Sequence, residues 1–289
     1  MSASVLFDAP GPKARRRHMM LTVVGVLLFL VGMFLVYKRL DDKGQFASAL
    51  WKPLTTGTVW QSLLEGLVGT LKAAAIAIVI AGVLGVLFAL GRMSEIAPLR
   101  WICSVLVEIF RAVPVLLMML FAYGYLSTSG AVDDELAPLY ATVTGLVLYN
   151  SSVVAEVIRS GVDQLPNGQR EAGLSIGLRA NQTLRMIQLP QAITAMLPAL
   201  ISQLVVVLKD TALGYNVLYS ELLRTGQGIG SNNANIVQMM FVLGVIYILI
   251  NYSLSKLAEF VERRLKNRGR GSRKQQVTGG PVVAADAAA

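Results

Sequence analysis

Six runs of apolar residues, none interrupted by a charge, decide what this chain can fold into: Met19–Val36, Ala73–Leu90, Ala112–Leu126, Leu136–Ala155, Met186–Leu208 and Ile236–Leu254. At 1.5 Å per residue, about 20 apolar residues cross the roughly 30 Å hydrocarbon core, so each run reaches across a bilayer once its flanks are added. Backbone polar groups in hydrocarbon must be satisfied within the segment, which selects helices. The chain is 54% hydrophobic and 15% charged over 289 residues, whereas soluble domains carry about a quarter charged residues. One all-α polytopic membrane domain with about six transmembrane helices is expected.

The first run follows Lys13, Arg15, Arg16 and Arg17 and could be a signal peptide or a membrane helix. Its 18 residues exceed a signal peptide's usual apolar region of about 7 to 15, and no small-residue cleavage site precedes Lys38. It is read as a retained helix over 19–37. Basic residues stay on the cytoplasmic side. With the N-terminus inside, 18 of the 26 Lys and Arg are cytoplasmic, and five (Lys38, Arg39, Lys43, Lys52 and Arg224) are outside. Both termini are therefore expected in the cytoplasm, on a basic tail at 1–18 and a Gly-, Ala- and Arg-rich tail at 265–289 expected to be disordered.

The net charge of +9 is explained by this topology, because the basic residues flank apolar spans; a nucleic-acid partner is not expected. Cys103 and His18 are the only residues of their kinds, which leaves no disulfide framework, no metal site and no histidine-based triad. No catalytic residue is assigned. Gly226-Gln227-Gly228-Ile229-Gly230 lacks a preceding strand and reads as a loop rather than a phosphate cradle. No internal repeat points to the inverted halves of many secondary transporters.

The loop between spans four and five holds the most information. Pro166-Asn167-Gly168 is a turn signal, helix formers follow with Glu171 expected in the first turn, and Gly177 ends the short helix. An amphipathic helix at about 163–178, with its apolar face on the bundle and Arg170 and Glu171 outward, is suited to receive a push from a soluble partner.

Glu171-Ala172-Gly173, three residues, Gly177, nine residues, then Ile187-x-Leu189-Pro190 resembles the EAA signature of permease subunits of ATP-binding-cassette importers; only the Gly at the third position departs from it. Glu108-Ile109-Phe110-Arg111-Ala112-Val113-Pro114 and Leu208-Lys209-Asp210-Thr211-Ala212-Leu213 resemble two segments of the polar amino-acid branch, with Ala112-Val113 in place of Gly-Thr. Gly66-x-x-x-Thr70-Leu71 resembles the start of the family core. The likeness spans 60–260 and implies a type I importer (MetI-like) core preceded by one extra N-terminal helix. It also implies a multi-pass permease of a bacterial plasma membrane, in contact with lipid. Its partners would be a second homologous permease, a cytoplasmic ATPase dimer and an extracellular amino-acid-binding protein. The sequence has no G-x-x-x-x-G-K-[ST] loop, so ATP and Mg would be bound by the partner and this chain would hold no cofactor. Pro166, Gly168, Glu171, Ala172, Gly173, Gly177, Ile187, Leu189 and Pro190 would then form the ATPase-coupling element.

Charges in or beside spans cost about 2.5–3.5 kcal/mol each and need an account. Glu108 and Arg111, three apart, can pair with one another. Lys209 and Asp210 can cap or pair at the outer end of span five; alternatively Asp210 and Gln203, two turns apart, line a substrate path with Arg111 and Asn150. The resemblance implies that carriers of basic amino acids place a second carboxylate where Gln203 stands; a neutral side chain there favours glutamate, with aspartate or glutamine next. Asn150, Ser151, Ser152 and Asn251 are expected to hydrogen-bond between helices. An ion-coupled secondary transporter would account for the buried charges but not for the EAA pattern, and the absence of a clustered acid/base constellation argues against a membrane-anchored enzyme.

Overall fold

The computed structural model describes residues 11–274, and these are helical almost throughout, with no strand among them. The helices are α1 (Pro12–Asp42), α2 (Ser48–Trp51), α3 (Gly57–Arg92), α4 (Ala97–Ala112), α5 (Val115–Ser129), α6 (Ala137–Asp163), α7 (Asn167–Ser175), α8 (Ala180–Thr183), α9 (Leu189–Asp210), α10 (Leu222–Asn232) and α11 (Ile236–Lys274). Among the described residues, five helical segments are long and apolar enough to cross a membrane, and α4 with α5 form a sixth candidate bent by 100°. The third apolar run thus starts at the bend: Ala112 ends α4 and Val115–Leu126 lie in α5, so the N-terminal flank that would lengthen the run into a span is a separate helix. Val113 and Pro114 are extended between them, because the residue before a proline avoids the helical region and proline cannot donate to the preceding turn.

Packing reverses the soluble pattern. Along α3 the buried stripe is Gly66, Thr70, Ala73, Ala77, Ala81, Gly85 and Ala89, while Leu64, Val68, Val79, Val83 and Leu87 face outward. Lipid solvates those large side chains as well as another helix would, so what favours association is close approach of backbones over small residues. A Cβ on Gly85 would lie 2.5 Å from Val154 of α6, and one on Gly145 of α6 would collide with Met119 of α5. The α6 helix sits at the centre, touching α3, α4, α5 and α9.

α1 stands apart. None of its residues is buried, and it already includes the basic cluster Lys13–Arg17. Its tether is the segment that follows: Tyr37 stacks on Phe46, and the start of α11 holds that segment, with Asn235 Nδ2, just before the helix, donating to Leu50 O at 2.8 Å and Gln238 of α11 donating to Gln45 O. At the other end α11 remains helical to Lys274, into the stretch expected to be disordered, and 275–289 lie outside the described residues. The same holds for 1–10 of the N-terminal tail.

The junction before α10 is closed by a fully buried carboxylate. Glu221 precedes α10 and accepts the N–H groups of Leu223 and Arg224 at 2.7 and 2.6 Å and the Tyr247 hydroxyl of α11 at 3.0 Å. Leu222 N–H donates to Thr70 of α3 at 3.0 Å and the Tyr219 hydroxyl to Gly69 O at 2.7 Å, so α10 is bound on both sides. The loop expected at Gly226–Gly230 is helical here, its glycines letting α10 lie against Leu243 and Met239 of α11. Replacing Glu221 by Ala removes a cap worth about 0.5–2 kcal/mol and strands the Tyr247 hydroxyl. Thermal unfolding in detergent is expected to begin several degrees lower for Glu221→Ala, with Glu221→Gln intermediate.

Candidate coupling element and intramembrane polar sites

α7 begins at Asn167 after Pro166, which puts Glu171 in its second turn rather than its first. Its end is a Schellman motif: Gly177 N–H donates to Leu174 O at 3.0 Å and Leu178 N–H to Gly173 O at 3.2 Å. Gly177 adopts φ +85°, a left-handed conformation that a Cβ disfavours.

The two halves of the EAA-like pattern meet in space. Gly173, the one buried residue of α7, lies against Thr183 and Ile187; a Cβ there would come 2.5 Å from Thr183 Cγ2 and 3.1 Å from Ile187 Cδ1. This explains the glycine at the position that departs from the signature. Gln191 Nε2 adds a second tie, donating to Gln169 Oε1 and to Ile187 O, both at 3.0 Å. A single π turn at Leu184–Gln188 leads into α9 just before Pro190, whose missing N–H and ring disfavour regular helix there. Leu189 packs on the inner core cluster with Ala155 and Ile158, whereas Pro190 is exposed.

The apolar residues of α7 do not face the bundle. Leu174 is 43% and Ile176 75% exposed, and Gly168, Glu171 and Ala172 share the open surface. Leu174 and Ile176 thus stand on the open surface beside the exposed Glu171.

Within the bundle, α6 presents two neighbouring stripes to two cavities. Asn150, Val154 and Ile158 border one of about 210 Å³ shared with α3 and α9. There Gln203 Nε2 donates to Asn150 Oδ1 at 2.8 Å while Asn150 Nδ2 donates to Leu146 O at 2.8 Å, an amide bridge between α6 and α9. Asp210 does not line this cavity. It ends α9, half-buried, and makes no ion pair with Lys209. Ser151 and Ser152 bond back to the carbonyls of Leu148 and Tyr149, and Asn251 to that of Tyr247, so these three serve their own helices rather than joining two.

The second stripe, Tyr149, Val153, Glu156 and Val157, faces α4 across a cavity of about 550 Å³. Arg111 does not pair with Glu108. It reaches Glu156 at 3.3 Å, where Arg92 of α3 already sits at 2.5 Å and Arg159 at 2.7 Å; Arg159 also holds Asp163 at 2.7 Å. α4 packs on α6, which brings Arg111 to Glu156 and leaves Glu108 without an ion pair among the described residues. Glu156 was not singled out in the sequence. The local spacing Glu156–Arg159–Asp163 was visible there, but Arg92 and Arg111 arrive from 64 and 45 residues away and only folding brings them together.

A double-mutant cycle tests the amide bridge. Asn150→Leu and Gln203→Leu are each expected to lower stability in detergent, and the pair to cost less than their sum, with a coupling of about 0.6 to 1.7 kcal/mol. Strict additivity would show that the two amides do not interact.

Comparison with known proteins agrees with this architecture. The family described as the inner membrane component of binding-protein-dependent transport systems matches residues 81–267. The glutamate transport system permease protein GluD of Corynebacterium glutamicum is 45% identical over 228 residues, covering 78% of this chain and 84% of that protein. The glutamate/aspartate import permease protein GltK of Escherichia coli O6:H1 is 32% identical over 207 residues, 70% of this chain and 92% of that one. Among solved structures, an amino acid ABC transporter with histidines aligns with a TM-score of 0.66 at 31% identity, over 73% of this chain and 97% of its own. The MetNI methionine ABC transporter aligns at 0.62 with 21% identity, a likeness of fold. This chain belongs to the family of inner-membrane components of binding-protein-dependent transport systems.

Proposed function

We propose that this chain is the permease of an ATP-driven glutamate importer, with aspartate and glutamine as the nearest alternative substrates. The observation that carries the drive is the geometry of α7: a capped, exposed helix tied to the start of α9 through Gly173, Thr183, Ile187 and Gln191. The substrate follows from the names of GluD and GltK. A neutral Gln203 in the amide bridge fits a substrate without a cationic side chain.

In this reading a cytoplasmic ATPase dimer binds ATP and Mg and grips the surface of Glu171, Ala172, Leu174 and Ile176. A second, homologous permease completes the path, an extracellular binding protein delivers the amino acid, and both termini of this chain lie in the cytoplasm of a bacterial cell. When the ATPases close, α7 moves. The Gly173 contact carries that displacement into α9, and the short turn at Gln164–Pro166 carries it into α6 and the arginines gathered on Glu156. Gln203, Asp210, Arg111 and Asn150 are the proposed path residues. Access alternates because each state binds the partners differently.

The test is reconstitution of the chain with its co-purifying ATPase, second permease and binding protein into proteoliposomes. ATP-dependent uptake of labelled glutamate is expected; uptake by the chain alone on an ion gradient would overturn the proposal. Gly177→Ala forces a side chain into the left-handed region, at about 1–2 kcal/mol. Both it and Glu171→Ala are expected to cut transport and substrate-stimulated ATP hydrolysis severalfold while membrane insertion is retained.

A further inference from the structure

The cavity between α4 and α6 is lined by Glu108 and Arg111, two opposite charges that do not pair with each other. Glu108 and Arg111 leave α4 about one turn apart, where their Cβ atoms are about 5–6 Å from one another. They nonetheless form no ion pair, because the guanidinium turns to Glu156. Glu156 is already served by Arg92 and Arg159, so Arg111 contributes the longest of its three contacts. Its side chain remains 46% exposed, with most of its five N–H donors unused. Glu108 has neither a hydrogen bond nor an ion pair among the described residues. The Tyr149 side chain lies on the facing wall, and the volume of about 550 Å³ falls within the range of small-molecule sites, about 300–1,000 Å³. Charged side chains at membrane depth face water-filled cavities or partners rather than lipid.

We infer that this cavity is a subsite for the zwitterionic head of the transported amino acid, with Arg111 receiving the α-carboxylate and Glu108 the α-ammonium. The inference rests on the reading of the chain as an amino-acid permease and adds the groups that recognise the substrate backbone. The spacing supports it. A cation and an anion one turn apart, held from neutralising each other by a third charge, match a ligand whose own opposite charges are a few ångströms apart. The cavity is separate from the one containing Gln203, which opens on the adjacent stripe of α6.

The experiment uses the assembled permease–ATPase complex in detergent, with labelled glutamate and without the binding protein. Glutarate, which lacks the ammonium, and 4-aminobutyrate, which lacks the α-carboxylate, serve as competitors. In the wild type both are expected to compete at least tenfold more weakly than unlabelled glutamate. Glu108→Gln should erase the discrimination against glutarate alone, and Arg111→Gln the discrimination against 4-aminobutyrate alone, while Arg111→Lys keeps part of it. Melting curves accompany each variant, with Glu108→Asp as a second probe of that position. Wild-type discrimination in folded Glu108→Gln and Arg111→Gln would overturn the assignment, as would equal loss of both selectivities in every variant, which marks a structural role. A wild-type complex that imports glutamate in proteoliposomes but binds none in this assay also overturns the subsite. If the wild type imports no amino acid in proteoliposomes, the proposed function itself falls.

Discussion

Helices already dissolved in lipid gain almost nothing by exchanging an apolar lipid neighbour for an apolar side chain, so this bundle depends on how closely its backbones approach α6. The glycines and alanines of α3 admit α6, Gly145 of α6 admits Met119, and Gly161 admits Met196 of α9. Once approach is that close, the polar groups inside the bundle come within reach of each other. The Asn150–Gln203 bridge and the arginines around Glu156 form because α3, α4 and α9 all pack on α6. Larger side chains at those contacts would separate the helices and leave buried amides and charges without partners, a greater loss than the packing itself.

The same helix links the polar sites to the open surface that α7 presents. Asp163, which ends α6, pairs with Arg159, which shares Glu156 with Arg92 and Arg111. A few residues later α7 begins, and its buried glycine rests on the segment that opens α9. A displacement of α7 therefore has two routes into the bundle, one along α6 and one along α9. The π turn at Leu184–Gln188, just before α9, and the interior Pro198, which lacks a backbone N–H to donate, are the places where this segment yields at the lowest cost.

Much of this was legible in the linear order of residues. Charge-free runs located the spans because hydrocarbon imposes a length and forbids unpaired backbone groups. Gly177 marked the end of α7 because a left-handed residue there needs glycine. Other features were not legible. The third apolar run concealed a 100° bend, since composition reports hydropathy and not direction. The apolar side chains of α7 were expected against the bundle and are exposed, because a single small residue, Gly173, makes that contact. Glu221 gave no signal at all. Its importance comes from Tyr247 and from two backbone N–H groups that only the turn into α10 directs at it.

The sequence by itself determined that the chain is a helical membrane protein, where most of its spans lie, and which loop presents the EAA-like pattern. Those properties are local: they depend on the transfer free energy of consecutive residues and on the backbone preferences of single glycines and prolines. Tertiary structure alone decided which charges meet. Glu108 and Arg111 look like a pair on a helix, yet the approach of α6 gives Arg111 to Glu156. Electrostatic partners are chosen by distance in space, and in this bundle that distance is set by helices that small residues allow to touch.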